Sequence, residues 1–466
     1  MKERFKRNFG SERDMTTGNA TNHILMFSLP ILLGNLFQQL YNIVNTFIVG
    51  HNLGDLSLAA VGVAFPLHSV IFTLVSGMVS AFSIIVARYF GAKNSEKLKR
   101  TVATSIVLSI GFTLFLTIAG LVMTDPLLKM LNTPAEIFET SKRYVTIMFY
   151  GLMANMAYNL VMGLLRSIGN SFVPLLTMIF SMVLNIILDF VFIVLLRLEI
   201  ESAAVATVIS HTVSAIGCLI YIRKKAPILH PERESFKLEK ELSYDMSSLA
   251  ISIGLALSIV QVGTLILQGA INDLGPSIIT SHTTSRRLIE LMLLPLMTMG
   301  LATSTYASQN IGASKPERIN MGIKSAVLIC LSWAALTSAV IYFFGGDVIR
   351  LLTDTTDEVV ISTSLSYLKL HVPLLAFLGP FFIYRQVLQS IGNRIVPIII
   401  STLELTNKII ATFILAPHIG YTAIMLSEST IWVAGAIILA LAYYNSKPIK
   451  ESRRAIKRKP NVWKES

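Results

Sequence analysis

The sequence predicts an all-α integral membrane protein of twelve transmembrane helices, arranged as two related halves of six. Three observations predict this fold. Of the 466 residues, 53% are hydrophobic and only 14% are charged, whereas soluble proteins carry roughly 25% charged residues. Twelve apolar runs are long enough to cross a bilayer, and a stretch from the first half of the chain returns in the second half.

The twelve runs follow one another with short polar connections. A bilayer core about 30 Å thick needs about 20 helical residues, and each run is close to that length or longer. We place the spans at residues 24–49, 59–86, 102–123, 144–165, 173–196, 203–222, 248–271, 278–305, 323–344, 367–390, 395–416 and 422–444.

The internal repeat is clearest near the middle of each half. Residues 165–189 read LRSIGNSFVPLLTMIFSMVLNIILD, and residues 388–412 read LQSIGNRIVPIIISTLELTNKIIAT, so the SIGN tetrapeptide and the Val-Pro pair recur 223 residues later. Each half has an even number of spans and therefore enters the membrane in the same direction. This predicts a parallel repeat, with an axis along the membrane normal.

The positive charges predict the orientation. With the N-terminus inside, the inner segments carry 28 Lys and Arg and the outer connections carry 5, which predicts a multi-pass protein of the cell membrane with both termini cytoplasmic. The predicted domains are a cytoplasmic segment (1–22), a first lobe (23–222), a cytoplasmic linker (223–247), a second lobe (248–446) and a basic cytoplasmic tail (447–466). The net charge of +12 then belongs mainly to this inner rim, so nucleic acid is not an expected partner.

The first half contains one acidic residue deep in a span, Asp189. Asn185 lies one turn earlier on the same helical face, and Asn45 and Thr207 are predicted at a similar depth. An ionisable group in the membrane normally has a partner or a task. A carboxylate beside amide and hydroxyl oxygens can hold a proton or a hard cation such as sodium; alternatively, Asp189 locks the bundle by hydrogen bonding.

The second half has a different set of charged residues. We predict a structural pair between Glu404 and Lys408, four residues apart on one helix, and leave open whether Arg287 and Glu290 form a pair or a site. Arg385 is a further deep base. The candidates for a substrate cavity are Gln38, Tyr41, Asn42, Arg287, Glu290, Arg385 and Glu404.

Several motifs together resemble one known family, the multidrug and toxic compound extrusion (MATE) transporters, in a bacterial branch. The resemblance covers Ile24 to Tyr444. Its motifs are GNLFQQLYNIVNTFIVG at 34–50, LAAVGVAFP at 58–66, Gly91-Ala92, LLRSIGN with Val173-Pro174, LNIILD at 184–189, RRLIELMLLPLMTMG at 286–300 and SQNIGA at 308–313. The resemblance implies two six-helix bundles in a V around a central cavity. It also implies export of organic, often cationic, compounds in exchange for H⁺ or Na⁺.

The resemblance also implies roles for individual residues. The family's first-lobe ion or proton site matches Asn185, Asp189 and Thr207, whereas Asn45 stands where the family usually has Asp. This departure predicts a single-cation site that favours a proton over tight sodium binding. Apart from H⁺ or Na⁺, no cofactor or metal is expected, and we expect a monomer in membrane lipid that acts on small molecules.

Two other functions are alternatives to drug export. The wider superfamily includes flippases for lipid-linked oligosaccharides or peptidoglycan precursors, and Arg286, Arg287 and Arg385 could suit a phosphate. An enzyme is not expected, because the eight histidines are scattered and form no HExxH pair. The chain also lacks the GxxxxGK[ST] motif that a nucleotide-driven pump requires.

Overall fold

A computed structural model describes residues 12–353 and 357–451. Within these ranges the regular secondary structure consists of helices, which are joined by turns and short irregular segments. The helices are α1 (Ala20–Gly54), α2 (Ser69–Gly91, with residues 55–68 also helical), α3 (Ser95–Met130), α4 (Ala135–Tyr150), α5 (Leu152–Ser167), α6 (Phe172–Asp189), α7 (Glu201–Lys225), α8 (Lys240–Asn272), α9 (Pro276–Gly312), α10 (Pro316–Thr353), α11 (Glu358–Ser390), α12 (Ile395–Ile410), α13 (Ala416–Ile419) and α14 (Tyr421–Asn445).

Within the described residues, eleven helices are long and apolar enough to cross a membrane, and the bent pair α4 and α5 raises the number to twelve if it forms one span. Large apolar side chains such as Phe115 and Val122 are 67% and 70% exposed. A bilayer offers these side chains an apolar environment, whereas a soluble protein would rarely expose so many. The predicted class, an all-α membrane protein with about twelve spans, is confirmed.

The predicted span at 144–165 is not a single straight helix. The structure has two helices there, which meet at Gly151 with a bend of 45°. A Cβ atom on Gly151 would lie 2.1 Å from Val208 Cγ2 on α7. The close approach of α7 therefore accounts for glycine at the bend, and no local sequence signal such as proline marks it.

The chain divides into two compact units. The first contains Leu29–Gly254 together with the described residues up to Asp14, and the second contains Met15–Ser28 and the residues from Leu255 onward. The predicted boundaries, 23–222 and 248–446, assigned residues 23–28 to the first lobe and residues 248–254 to the second. In the structure each of these segments belongs to the other unit. Ile24 belongs with the second unit because it lies against Gly322, and Gly254 belongs with the first because its backbone approaches Gly77 on α2.

The predicted linker, residues 223–247, lies within the first unit. Residues Pro227–Leu229 and Arg233–Phe236 form 3₁₀ turns, and α8 begins at Lys240 without a separate helix before it. Glu232 pairs with Lys99 and Glu239 with Arg100, at the start of α3. The ammonium group of Lys99 lowers the pKa of Glu232. Residues 1–11 of the predicted N-terminal segment and 452–466 of the predicted basic tail lie outside the described residues.

The sequence repeat is also a structural repeat. Gly54 and Gly275 both have positive φ, as do Gly169 and Gly392, and π-helical turns at Phe190–Leu195 and Ala411–Leu415 follow α6 and α12. The equivalent residues are separated by 221 or 223 positions. The two halves therefore interrupt their helices at matching places.

Serine hydroxyls tie the helices together in the same way in both units. Ser167 Oγ donates to the carbonyl of Ser83 at 2.9 Å, and Ser390 Oγ donates to the carbonyl of Ser304 at 3.1 Å. A second matching pair of contacts joins Ser141 to Ala60 and Ser364 to Ser281, at 3.2 Å each. These bonds satisfy polar groups inside an apolar bundle, where an unpaired group is costly.

The SIGN tetrapeptide caps the helix that follows it. Asn170 Oδ1 accepts a hydrogen bond from the N–H of Val173 at 3.1 Å, and Asn393 Oδ1 accepts one from the N–H of Val396 at 3.1 Å. We predict that Asn393→Ala lowers the free energy of unfolding by about 1 kcal/mol, the usual cost of a lost cap. Thermal unfolding of the detergent-solubilised protein measures this effect.

The matched control for that experiment is Asn393→Asp, which keeps the accepting oxygen and should unfold close to the wild-type temperature. Asn170→Ala should repeat the loss in the first unit. Equal stability of Asn393→Ala and Asn393→Asp would show that the cap does not stabilise α12.

Candidate functional site

A cavity of about 430 Å³ lies within the first unit. Its wall is a mixture of polar and aromatic side chains from α1, α4, α5, α6 and α7, with Phe72 from α2 and Val61 from the residues between α1 and α2. The polar and aromatic lining residues are Gln38, Tyr41, Asn42, Asn45, Thr46, Phe72, Tyr144, Tyr158, Ser181, Asn185, Thr207, Ser210 and His211. Such a surface can accept an amphipathic molecule through both apolar and hydrogen-bonding contacts.

Asn185 is the centre of a hydrogen-bond network in this wall. In the amide orientation that satisfies every neighbour, its nitrogen donates to Asp189 Oδ2 at 2.8 Å and to Tyr41 Oη at 2.7 Å. Its oxygen accepts from the backbone N–H of Thr207 at 3.0 Å and from the Thr207 hydroxyl at 3.2 Å. The amide thus uses both its hydrogens and both its lone pairs, which fixes α6 against α1 and α7.

Tyr41 connects Asn45 to this network. Asn45 Nδ2 donates to Tyr41 Oη at 2.9 Å, so Asn45 reaches Asp189 only through Tyr41 and Asn185. The sequence predicted Asn45, Asp189 and Thr207 at a similar depth, and it assigned Tyr41 to the substrate cavity alone. In the structure Tyr41 belongs both to the cavity lining and to the hydrogen-bond network, in which its hydroxyl takes part.

Asp189 ends α6 and is fully buried. Its Oδ2 atom receives the Asn185 amide, whereas Oδ1 is buried and has no hydrogen-bond partner within the described part of the chain. A buried carboxylate with an unpaired oxygen is costly while it carries its charge. A proton or a cation at Oδ1 would remove that cost.

The second-unit candidates do not form one group. Arg385 is buried and donates to Ser401 Oγ at 2.8 Å, while Arg287 and Glu290 are exposed on α9. Glu404 accepts from Lys408 Nζ at 3.0 Å. The predicted pair of Glu404 and Lys408 therefore forms, and Lys408 also donates to Thr264 Oγ1 at 3.1 Å.

Glu290 forms an ion pair with Arg286 in the structure and not with Arg287. Arg286 lies 3.7 Å from Glu290 and donates to Glu428 Oε1 at 2.9 Å. Arg286 and Glu290 are four residues apart and share a helical face, whereas Arg287 points away. Glu428 is 142 residues from Arg286, so no local spacing could indicate this partner.

His211 is a cavity residue that the sequence analysis did not single out. Its ring stacks on Tyr158 with 4.7 Å between the centroids, and its Nδ1 lies 3.4 Å from Asn155 Nδ2. His211 follows Thr207 by four residues on α7, and that spacing was the available signal. Within 12–353 and 357–451, no group of three or more His, Cys, Asp or Glu side chains is placed to hold a metal ion.

Comparison with known proteins gives a consistent result. The MatE family model matches residues 30–191 and 252–414, one match in each half. A probable multidrug resistance protein, YpnP of Bacillus subtilis (strain 168), is 26% identical over 84% of this chain and 87% of its own length. The multidrug export protein MepA of Staphylococcus aureus (strain NCTC 8325 / PS 47) is 24% identical over 90% of this chain and 93% of its own.

Solved structures share the fold. A crystal structure of MATE in the bent conformation matches with a TM-score of 0.85 and 23% identity, covering 95% of this chain and 98% of that one. An outward-facing multidrug resistance MATE family transporter of the MOP superfamily matches with a TM-score of 0.83 and 22% identity, covering 95% and 97%. At this identity the likeness concerns the fold.

The network predicts a stability effect for Tyr41→Phe. Loss of the hydroxyl leaves amide hydrogens of Asn45 and Asn185 without their acceptor, which should cost about 1–3 kcal/mol. Tyr144→Phe is the matched control, because Tyr144 also lines the cavity and its hydroxyl makes no hydrogen bond to the described residues. Thermal unfolding of both variants tests this, and equal losses would contradict the network.

Proposed function

Because this chain belongs to the MatE family of multidrug and toxic compound extrusion transporters, we propose that it is a secondary active exporter. It binds amphipathic, often cationic, small molecules and releases them across the membrane in exchange for H⁺ or Na⁺. The observation that carries the proposal is the buried carboxylate of Asp189, whose unpaired Oδ1 lies in a network that lines a 430 Å³ cavity.

The surroundings of Asp189 favour a proton over a sodium ion as the coupling cation. Sodium, a hard cation, needs several oxygen ligands. Asn185, however, turns its nitrogen toward Asp189 and its oxygen toward Thr207, while Asn45 is held at Tyr41. Asp189 is thus met by a hydrogen-bond donor, and a proton on Oδ1 completes the site without further ligands.

Exchange follows if the two protonation states prefer different conformations. With Asp189 ionised, the cavity is attractive to a cationic substrate. Protonation neutralises Asp189 and lets α1 pack closer to α6 and α7, which narrows the cavity and weakens substrate binding. The proton and the substrate therefore compete for the same unit, as antiport requires.

The alternative function, flipping of a lipid-linked oligosaccharide or peptidoglycan precursor, has weaker support. It depends on basic residues that can bind a phosphate. Arg286 is paired with Glu428 and Glu290, and Arg385 is buried against Ser401, which leaves Arg287, exposed on α9, as the remaining basic candidate. The names of the relatives, multidrug resistance protein and multidrug export protein, also favour drug export.

The oligomeric state, the cofactor and the orientation of the protein are also part of the proposal. We propose that it works as a monomer in the cell membrane, with no cofactor other than the coupling cation and with both termini in the cytoplasm. The excess of Lys and Arg in the inner segments, 28 against 5, supports this orientation.

Asp189→Asn should abolish gradient-driven efflux, because Asn keeps the shape of the side chain and cannot exchange a proton. Efflux of a fluorescent dye from vesicles under an imposed proton or sodium gradient measures the effect. Asp125→Asn is the matched control: Asp125 pairs with Lys142 at 2.8 Å near the surface, and its loss should leave efflux intact. Normal efflux with unchanged ion dependence in Asp189→Asn would refute the proposed coupling site.

Asn45→Asp restores the usual family residue and should change the coupling cation. A second carboxylate next to the network repels the first, and a cation between them relieves that repulsion. We therefore expect stronger sodium dependence or a shifted pH optimum of efflux.

Efflux measured over a grid of sodium concentration and pH tests the Asn45→Asp prediction. Asn42→Asp is its control, because Asn42 lines the same cavity and does not hydrogen-bond to Tyr41. Profiles that match the wild type in both variants would show that the first unit does not set the coupling.

A further inference from the structure

The second unit contains a buried polar cluster at the positions that correspond to the wall of the first-unit cavity. By the offsets of 221 and 223 that relate the two halves, five cavity-lining residues have polar or aromatic counterparts. Val61 corresponds to His282, Tyr144 to Tyr367, Met148 to His371, Ile200 to Tyr421 and Thr207 to Glu428. At these equivalent positions the two units therefore carry side chains of different chemical character.

Glu428 is the centre of this second-unit cluster. Its Oε1 accepts from Arg286 at 2.9 Å, and its Oε2 accepts from the Tyr367 hydroxyl. The same Oε2 lies 3.9 Å from His371 Nε2. A second histidine, His282, lies 3.0 Å from the Tyr421 hydroxyl through Nδ1. Glu428, His282 and His371 are 7%, 5% and 0% exposed, so the cluster is enclosed by protein.

The contacts of His371 fix its tautomer. Nδ1 lies 2.9 Å from the carbonyl oxygen of Tyr367, and a carbonyl can only accept, so Nδ1 carries a hydrogen. In the neutral ring Nε2 is therefore the acceptor, facing Ser429 Oγ at 3.4 Å and the Glu428 carboxylate. A proton taken up by His371 goes to Nε2 and faces an anion.

The fixed charges around His371 leave room for that proton. Arg286 carries one positive charge and contacts two carboxylates, Glu428 and Glu290. Arg286 and Glu428 balance each other inside the cluster, and the one remaining negative charge belongs to Glu290, whose side chain is 53% exposed at the edge of the cluster. Lys408, which also acts on Glu428, adds nothing to the balance because it is paired with Glu404.

We propose that His371 Nε2 is a second proton-binding site, in which an imidazolium pairs with Glu428 inside the second unit. The groups that face it are His282, Arg286 and Glu290 from α9, Tyr367 from its own helix, and Tyr421, Glu428 and the Met425 carbonyl from α14, with Lys408 of α12 beyond. Within the described residues, α10 contributes no ionisable group to the cluster's hydrogen bonds or ion pairs. The proton site itself does not depend on Asp189, although its use in transport rests on the proposed function.

Trp432 provides a direct optical test. Its ring meets His371 edge to face, with 5.4 Å between the centroids, and a protonated imidazole quenches the fluorescence of an adjacent indole. The chain has three tryptophans, so Trp333→Phe with Trp463→Phe leaves Trp432 as the only reporter. In this background the purified protein should show a single fluorescence decrease as the pH falls and His371 takes up its proton.

Two substitutions of His371 separate protonation from folding. His371→Gln keeps a hydrogen bond to Tyr367, and His371→Met introduces the residue that the first unit has at this position. Both should remove the pH-dependent step while the protein elutes as a folded species. Asp189→Asn in the same background should leave the step unchanged, which separates this site from the first-unit site.

Each outcome decides for or against the second proton site. Loss of the step in both His371 variants, with retention in Asp189→Asn, supports it. A flat fluorescence profile in the parent protein, or a step that persists in His371→Gln, would overturn it and leave the cluster as a permanent structural lock. If both fluorescence and efflux respond to His371→Gln, the pH dependence of efflux should become shallower by one proton.

Discussion

Nearly every feature of this fold depends on the requirement that backbone N–H and C=O groups in a bilayer be hydrogen-bonded within the protein. Long helices meet the requirement, and the chain departs from them at matching places in its two halves: the positive-φ glycines Gly54 and Gly275, the caps at Asn170 and Asn393, and the two π-helical turns. Such interruptions are costly inside a membrane. Their repetition indicates that both halves retain the same backbone conformations at these positions. The turn after Asp189 belongs to this shared scaffold, since the second unit has a π-helical turn directly after Ile410, a residue without an acidic side chain.

The same constraint governs the polar side chains, and the two units satisfy it differently. In the first unit one amide, Asn185, is fully hydrogen-bonded and holds Tyr41, Thr207 and Asp189 together. Within this network, the Oδ1 atom of Asp189 has no hydrogen-bond partner among the described residues. In the second unit the acid is paired: Glu428 has Arg286 and a tyrosine hydroxyl. A carboxylate that is left with an unpaired oxygen can respond to a proton, whereas one that is paired with arginine keeps its charge and acts on its neighbours.

The sequence predicted those parts of the structure that depend on length, hydropathy and local spacing. The number and class of the spans follow from apolar runs, and the pair of Glu404 and Lys408 follows from a spacing of four residues. The bend at Gly151 was not predictable, because it depends on the approach of Val208 from another helix. The same holds for the contact of Arg286 with Glu428 and for the position of Tyr41 between Asn45 and Asn185, since both depend on how separate helices are rotated.

The comparison of the halves bears on how a duplicated transporter can acquire new coupling chemistry. A duplication provides two copies of each cavity-wall position on backbones that already satisfy their hydrogen bonds, so side chains can change without rebuilding the fold. At the five matched positions the first unit keeps mainly apolar or neutral residues around an open space, whereas the second unit fills them with two histidines, two tyrosines and a glutamate. These second-unit side chains form a compact network of hydrogen bonds and ion pairs around Glu428. One unit is thereby suited to admit a ligand and the other to sense a charge, although both derive from one six-helix pattern.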